Sequence, residues 1–171
     1  MDIHVVDDFI PEHKFKDLEF MMMSHAFEWY WSDGQAEIPQ TDRFMFNHLF
    51  YKCGTKFGDD YIGSGPNSNH YDLINPCIRQ LRAKTIRRIK ANLTTITTSH
   101  EEGGYHTDYS DITTAVYYIN TNNGYTQFKD GTKVESVANR AVIFDSNLEH
   151  QGVSCTDEKR RVVINFNFNG H

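Results

Sequence analysis

Arg161-Val162-Val163-Ile164-Asn165-Phe166-Asn167-Phe168-Asn169 is the stretch on which the fold turns. Its residues are β-branched, aromatic and amide types, and they alternate. Successive side chains of an extended strand point to opposite faces. Arg161, Val163, Asn165 and Asn167 therefore share one side, and Ile164, Phe166 and Phe168 share the other. The apolar set needs a hydrophobic layer against it. The polar set faces either solvent or a polar cavity, and alternation alone leaves both open.

Upstream of it, Ile86–Thr98, Ile112–Asn120, Tyr125–Lys129 and Arg140–Asp145 read as further strands. They are rich in Val, Ile, Thr, Tyr and Phe, with turn residues between them. The first half differs. Residues 3–6 form a short strand. A helix over about 11–25, opened by Pro11, places Phe15, Leu18 and Met22 on one face. Phe27–Trp31 and Phe44–Tyr51 are aromatic-rich strands that fill a core or line a groove. Residues 52–70, rich in Gly, Asp, Ser and Asn, read as a loop. A second helix is predicted over about 70–84, with Leu73, Ile74, Ile78 and Leu81 as its stripe. Helices confined to the first half, beside a run of antiparallel strands, predict a mainly β sandwich or jelly roll with helices packed on one side.

A chain of 171 residues fits one domain, with helical and strand support over 1–85 and a β core over 86–169. Hydrophobic residues at 39% and aromatics at 13% supply enough apolar surface to fold. The net charge of −6 argues against a protein built to grip nucleic-acid backbone. One basic run stands out: Arg79, Arg82, Lys84, Arg87, Arg88 and Lys90. Its plainest reading is a solvated helix face running into an edge strand. Cys53, Cys77 and Cys155 are widely spaced and form no C-x-x-C, which predicts reduced thiols in a cytoplasmic protein. The start Met1-Asp2-Ile3-His4 lacks the basic and apolar regions of a signal peptide. No run approaches about 18 apolar residues, so no membrane span is expected.

Nine histidines suggest a metal, yet a chain so rich in His gives about 0.7 H-x-D matches by chance. Two occur, His70-Tyr71-Asp72 and His106-Thr107-Asp108. Side chains at i and i+2 converge on an extended strand and diverge on a helix. The first match lies where a helix is predicted to begin. The second lies between Gly103-Gly104 and the strand Ile112–Asn120, where the chain is extended. His100-Glu101-Glu102 sits in a polar loop, a solvated place by default. His150 follows the strand Arg140–Asp145 and is the candidate third ligand. Two imidazoles and a carboxylate on one face of an ion leave the opposite positions open, as in Fe(II) oxygenases. Zinc accepts the same donors, although it usually takes its histidine pair from a helix. Beyond His150, an arginine at the opening of the last strand is placed to clamp a carboxylate. Strand parity favours Arg161 over Arg160.

These features occur together as Gly-Tyr-His-Thr-Asp at 104–108, Val-Tyr-Tyr-Ile-Asn at 116–120 and Asn-Gly-Tyr-Thr-Gln-Phe at 123–128. Asn-Arg-Ala-Val-Ile-Phe-Asp-Ser at 139–146, His150-Gln-Gly and Arg161-Val-Val-Ile-Asn-Phe-Asn-Phe follow. In order and spacing, the chain from about Arg87 to Phe168 resembles the catalytic core of the 2-oxoglutarate and Fe(II)-dependent oxygenases, especially the prolyl-4-hydroxylase-like branch. The resemblance implies a double-stranded β-helix, the cupin-like variant of the jelly roll. It implies that His106, Asp108 and His150 bind iron and that Arg161 binds the distal carboxylate of 2-oxoglutarate. It matches Tyr117 to a tyrosine that assists there, against the alternative of an ordinary core tyrosine. Val163 and Asn123 depart from the pattern, where relatives often carry a serine and a glycine pair.

The implied reaction couples oxidative decarboxylation of 2-oxoglutarate, with O2, to hydroxylation of an unactivated C–H bond, releasing succinate and CO2. Ascorbate is an admissible accessory reductant. A prolyl residue of a peptide or protein is the substrate the branch suggests, with a small molecule as alternative. The sequence is silent on oligomeric state. Two rivals remain at this point: a cupin-like metalloenzyme that does not use 2-oxoglutarate, and a non-catalytic β-sandwich binding module.

Overall fold

The computed structural model describes residues 2–33, 44–57, 60–62 and 65–170. In chain order its elements begin with β1 (His4–Val6), α1 (Glu12–Met23), β2 (Tyr30–Ser32), β3 (Met45–Lys52), β4 (Thr55–Phe57), β5 (Asp60–Ile62) and β6 (Gly65–Pro66). A 3₁₀ turn (Tyr71–Ile74) leads into α2 (Asn75–Gln80). The strands β7 (Ala83–Thr95), β8 (Thr113–Tyr118), β9 (Tyr125–Phe128), β10 (Lys133–Glu135), β11 (Ala141–Asp145), β12 (His150–Val153) and β13 (Arg160–Gly170) follow.

Two sheets carry the fold. The larger has the order β1-β11-β8-β13-β7-β3-β2, with β6 attached to β3. The smaller has the order β10-β9-β12, and bridges from Glu102 to Val153 and from His106 to His150 extend it by one more edge. Every pairing within both sheets is antiparallel. From β8 onward the chain passes back and forth between the sheets, as a jelly roll does. The alternation in β13 sorts its residues between two cores. Val162, Ile164, Phe166 and Phe168 join a cluster with Phe15, Leu18 and Met22 of α1 and with Ile74 and Cys77. Val163 joins Val116, Tyr118, Phe128 and Phe144 between the sheets. Burial of side chains such as Ile164 and Phe166 contributes roughly 1.5–3 kcal/mol each.

Three local expectations need correction. The second helix does not run over 70–84. It ends at Gln80, Arg82 turns the chain at a φ of +51°, and β7 begins at Ala83. Ladder pairing of Ala83 with Gly170 of β13 outweighs the helical stripe. The stretch 52–70 is not all loop, because β4 and β5 pair as a ribbon and β6 pairs with β3; residues 58–59 and 63–64 of it lie outside the described residues. Finally, the strands expected in the second half omit β12, which begins at His150. His-Gln-Gly-Val has no alternation to reveal β12, whose pairing with β9 makes it a strand.

Candidate active site

The site begins with one pair of backbone bonds. His106 N–H donates to the His150 carbonyl and His150 N–H donates to the His106 carbonyl, both at 3.0 Å. Residues that exchange both bonds stand directly opposite, so their side chains project to the same face. The two rings lie 4.7 Å apart, centroid to centroid. Asp108, two positions on, returns to that face. The donor atoms of His106, Asp108 and His150 all lie within 4.8 Å of one another. The other H-x-D behaves differently. His70 turns to Glu28 and Asp72 accepts from Asn75, because a 3₁₀ turn splays them. His100 pairs with the Ser154 carbonyl and is exposed.

Neighbouring groups aim each donor. The Nδ1 of His106 donates to the Gly104 carbonyl at 3.1 Å, and that of His150 donates to the Leu148 carbonyl at 3.0 Å. Both Nε2 atoms are left to face the centre, which is the usual device for orienting metal-binding imidazoles. Asp108 accepts from Thr114 and Asn167 on Oδ2, which leaves Oδ1 toward His106. Burial pulls His150 below the ordinary imidazole value, outweighing the Leu148 hydrogen bond and the Asp108 charge. Burial raises the Asp108 carboxyl, but His150, the Asn167 hydrogen bond, Arg88 and Thr114 outweigh it and hold the group below its ordinary value. A neutral imidazole beside an ionised carboxylate is the protonation state a divalent metal requires. The residues present therefore fit a metal of the Fe(II) or Zn(II) kind.

The triad opens into a cavity of about 290 Å³ between the sheets. Its floor is the β7–β13 pair, where Thr94 stands opposite Arg161, Asn92 opposite Val163 and Lys90 opposite Asn165. Arg161 is 5% exposed. It donates from Nε to Ser136 Oγ at 2.9 Å and from Nη2 to Thr126 Oγ1 at 3.3 Å, and its guanidinium lies 5.7 Å from the Tyr118 ring centroid. Among the described residues, none of its partners is a carboxylate. Burial pulls its pKa down, yet an arginine keeps its charge in proteins. A buried, charged guanidinium held only by hydroxyls has the chemistry to accept a carboxylate partner. Space is made for it by Gly124. A Cβ there would fall 2.7 Å from Arg161 Cδ and 2.8 Å from the Val153 carbonyl oxygen.

Arg160 points away from the cavity and donates to the Met23 carbonyl, as strand parity requires. Tyr117 does not assist Arg161, which corrects the expectation for that residue. It stands opposite Ile164 on the helix-facing side of the sheet, packs against Phe9 and Phe15, and donates to Asn139 Oδ1. Its neighbour Tyr118, opposite Val163, is the tyrosine beside Arg161. In a Tyr-Tyr pair only the strand pairing decides which ring faces which side. The sequence reading also missed Thr126, Ser136, Thr114 and the role of Asn167. Asn167 carried a signal, since it shares the polar face with Arg161. The others carried none. The basic run was misread in part, for Arg88 and Lys90 line the cavity. Their i, i+2 spacing on one strand was the available sign.

No protein-family model matches the sequence, and no curated protein matches it. Solved structures share its fold. An oxidoreductase of the 2OG-Fe(II) oxygenase family from Burkholderia pseudomallei aligns over 99% of this chain and 86% of its own, with a TM-score of 0.66 at 10% identity. A Pseudomonas putida prolyl-4-hydroxylase aligns over 99% and 92%, with a TM-score of 0.62 at 15% identity. A prolyl hydroxylase from Trichoplax adhaerens, in complex with a hypoxia inducible factor oxygen degradation domain peptide fragment, aligns over 98% and 83%, with a TM-score of 0.63 at 11% identity. The chain thus has the fold of the 2-oxoglutarate/Fe(II) oxygenases, a double-stranded β-helix.

Proposed function

We propose that this protein is an Fe(II)- and 2-oxoglutarate-dependent dioxygenase that hydroxylates an unactivated C–H bond and releases succinate and CO2. The observation that carries the proposal is Arg161, a buried cation whose hydrogen bonds among the described residues go only to hydroxyls, in the same cavity as three convergent side chains able to bind a metal. A cupin-like enzyme without 2-oxoglutarate has no use for it, and a binding module has no use for the donors. In this reading the whole chain is one oxygenase domain, with residues 1–85 supporting the catalytic core at 86–169.

His106, Asp108 and His150 would hold Fe(II), which supplies the activation of O2 when bound. Each residue then has a defined task. The histidines offer neutral Nε2 atoms, and Asp108 offers Oδ1 with its charge maintained by Asn167 and Thr114. Arg161 would bind the distal carboxylate of 2-oxoglutarate in the cavity it shares with the triad. Ser136 and Thr126 fix the guanidinium plane, and Tyr118 covers it from bulk water. Preorganised donors of this kind cost no rearrangement when the cosubstrate arrives.

A prolyl residue of a peptide is the first substrate to test, because two of the structures of like fold are prolyl hydroxylases. The cytoplasm is the compartment proposed, in keeping with free Cys53, Cys77 and Cys155. Among the described residues, no helix is long and apolar enough to cross a membrane.

The deciding experiment is anaerobic addition of Fe(II) and then 2-oxoglutarate, watched for the visible metal-to-ligand charge-transfer absorption. The band is expected in the parent protein, lost in Asp108→Ala, and shifted to much higher 2-oxoglutarate concentration in Arg161→Met. Absence of the band in the parent, with iron shown to be bound, removes the 2-oxoglutarate reading.

A further inference from the structure

We infer that the primary substrate carries a carboxylate beside an N–H group, and that Lys90 with Asn92 and Asn165 is the subsite that selects it. The inference rests on the oxygenase reading above and names the substrate class for that site.

Lys90 lies on the cavity floor in mid-strand, flanked along β7 by Arg88 and Asn92 and facing Asn165 on β13. It is partly buried, and burial together with the Arg88 charge pulls its ammonium below the ordinary lysine value. Arg88 is already engaged, with Asp108 Oδ1 at 3.5 Å and Asn167 Oδ1 at 3.2 Å. Among the described residues, Lys90 has no ion pair and no hydrogen bond. A lysine in such a place is expensive unless an anion meets it.

Charge counting says that the cosubstrate does not supply that anion. A divalent ion, the Asp108 carboxylate, dianionic 2-oxoglutarate and the Arg161 guanidinium together sum to zero. Arg88 and Lys90 are left over as cations. A neutral substrate would leave this excess positive charge uncompensated in a cavity between the two sheets, whose low-dielectric walls strengthen its field.

The same floor also needs donors. The Oδ1 atoms of Asn92 and Asn165 are buried and unpartnered. Buried acceptors of this kind are normally satisfied in the working complex. A sulfate or a fully ionised phosphate ester offers these two oxygens nothing, because it only accepts. An amino-acid or peptide substrate offers N–H groups to the two amides and a carboxylate to Lys90. An acidic residue, free or within a peptide, is the chemistry that matches all three.

The test uses full-length protein loaded with Mn(II), which binds such sites without turnover, in the presence of 2-oxoglutarate. Immobilised protein is offered pools of capped pentapeptides containing Glu or Asp, and matched pools containing Gln or Asn. Capped single residues, N-acetyl-L-glutamate methylamide and N-acetyl-L-glutamine methylamide, are measured by calorimetry, and a short single-stranded oligonucleotide is included. Retention of the acidic partner, peptide or capped residue, at about tenfold or more over its amide is expected. That preference should vanish in Lys90→Met and survive in Lys90→Arg, with 2-oxoglutarate affinity unchanged in both. Lys90→Met should fold at least as stably as the parent, since it removes a partly buried charge that has no partner among the described residues.

Several results overturn the inference: equal retention of acid and amide, retention of neither, or preferential retention of the oligonucleotide. Insensitivity to Lys90→Met does so too. Loss of 2-oxoglutarate affinity in Lys90→Met reassigns the lysine to the cosubstrate. Failure of the metal-loaded parent to bind 2-oxoglutarate at all sinks the oxygenase reading instead. The acid preference is read without 2-oxoglutarate as well, so the two failures are told apart.

Discussion

Asn167 donates a 2.8 Å hydrogen bond to Oδ2 of Asp108 across 59 positions of sequence. Thr114 donates to the same oxygen at 2.9 Å. One oxygen of the carboxylate is fixed by the last strand and by β8, and the other, Oδ1, faces His106 with Arg88 3.5 Å away. The last strand thus presents Arg161 and Asn167 on one face, the former for the proposed cosubstrate and the latter to hold Asp108, a proposed metal ligand.

Asn167→Ala should weaken Fe(II) binding by about 10- to 100-fold, the usual cost of losing an outer partner of a metal ligand. Mn(II) titration followed by electron paramagnetic resonance checks this. The Arg161 subsite is remote from the change. The concentration dependence on 2-oxoglutarate at saturating metal should therefore hold, and metal affinity equal to the parent's would refute the assigned role.

Gly124→Ala places a methyl group against Arg161 Cδ and against the Val153 backbone. Backbone cannot step aside as a flexible side chain can. A destabilisation of about 1–3 kcal/mol is expected, together with a raised KM for 2-oxoglutarate. Urea denaturation and succinate release measure the two. An unchanged KM would show that Gly124 does not shape the arginine site.

Arg161→Met removes a buried cation that has no anionic partner among the described residues. Stability without ligand should be unchanged or higher. The parent, by contrast, should gain about 2.7 kcal/mol at a 2-oxoglutarate concentration a hundredfold above Kd, and the variant should gain almost none. Thermal shifts with and without the ligand, in the presence of Mn(II), decide it. Equal shifts would move the carboxylate site elsewhere.

His48 provides the pH dependence. It packs on Phe27 and Phe50, donates from Nδ1 to the Glu28 carbonyl and accepts at Nε2 from Ser68. Burial is the largest influence and pulls its pKa below the ordinary imidazole value, although the Glu28 carbonyl opposes it. The unfolded chain therefore binds a proton more readily than the folded one. The stability due to neutral His48 is complete above the unfolded pKa of about 6.5 and is lost as pH falls through the lower folded value. Urea midpoints of the metal-free protein should fall between pH 7.5 and pH 5. His48→Gln should flatten part of that slope; an identical slope would place the titration in other groups.

The sequence by itself determined much of this protein. The alternation in β13, the extended setting of His106 and Asp108 and the downstream His150 sufficed to foresee a mainly β fold and the convergence of these three side chains, and parity alone separated Arg161 from Arg160. Local periodicity settles such matters because side-chain direction along a strand is a property of the backbone. What remained depended on which strand lay beside which. The pairing of Tyr118 with Val163 turned Tyr117 into the core, β12 existed only through β9, and the end of α2 was set by the reach of β13. Lys90 looked like a solvated charge until β13 brought Asn165 opposite it and enclosed both in a cavity. Register and burial are properties of two chain segments together, and no stretch of one segment records them.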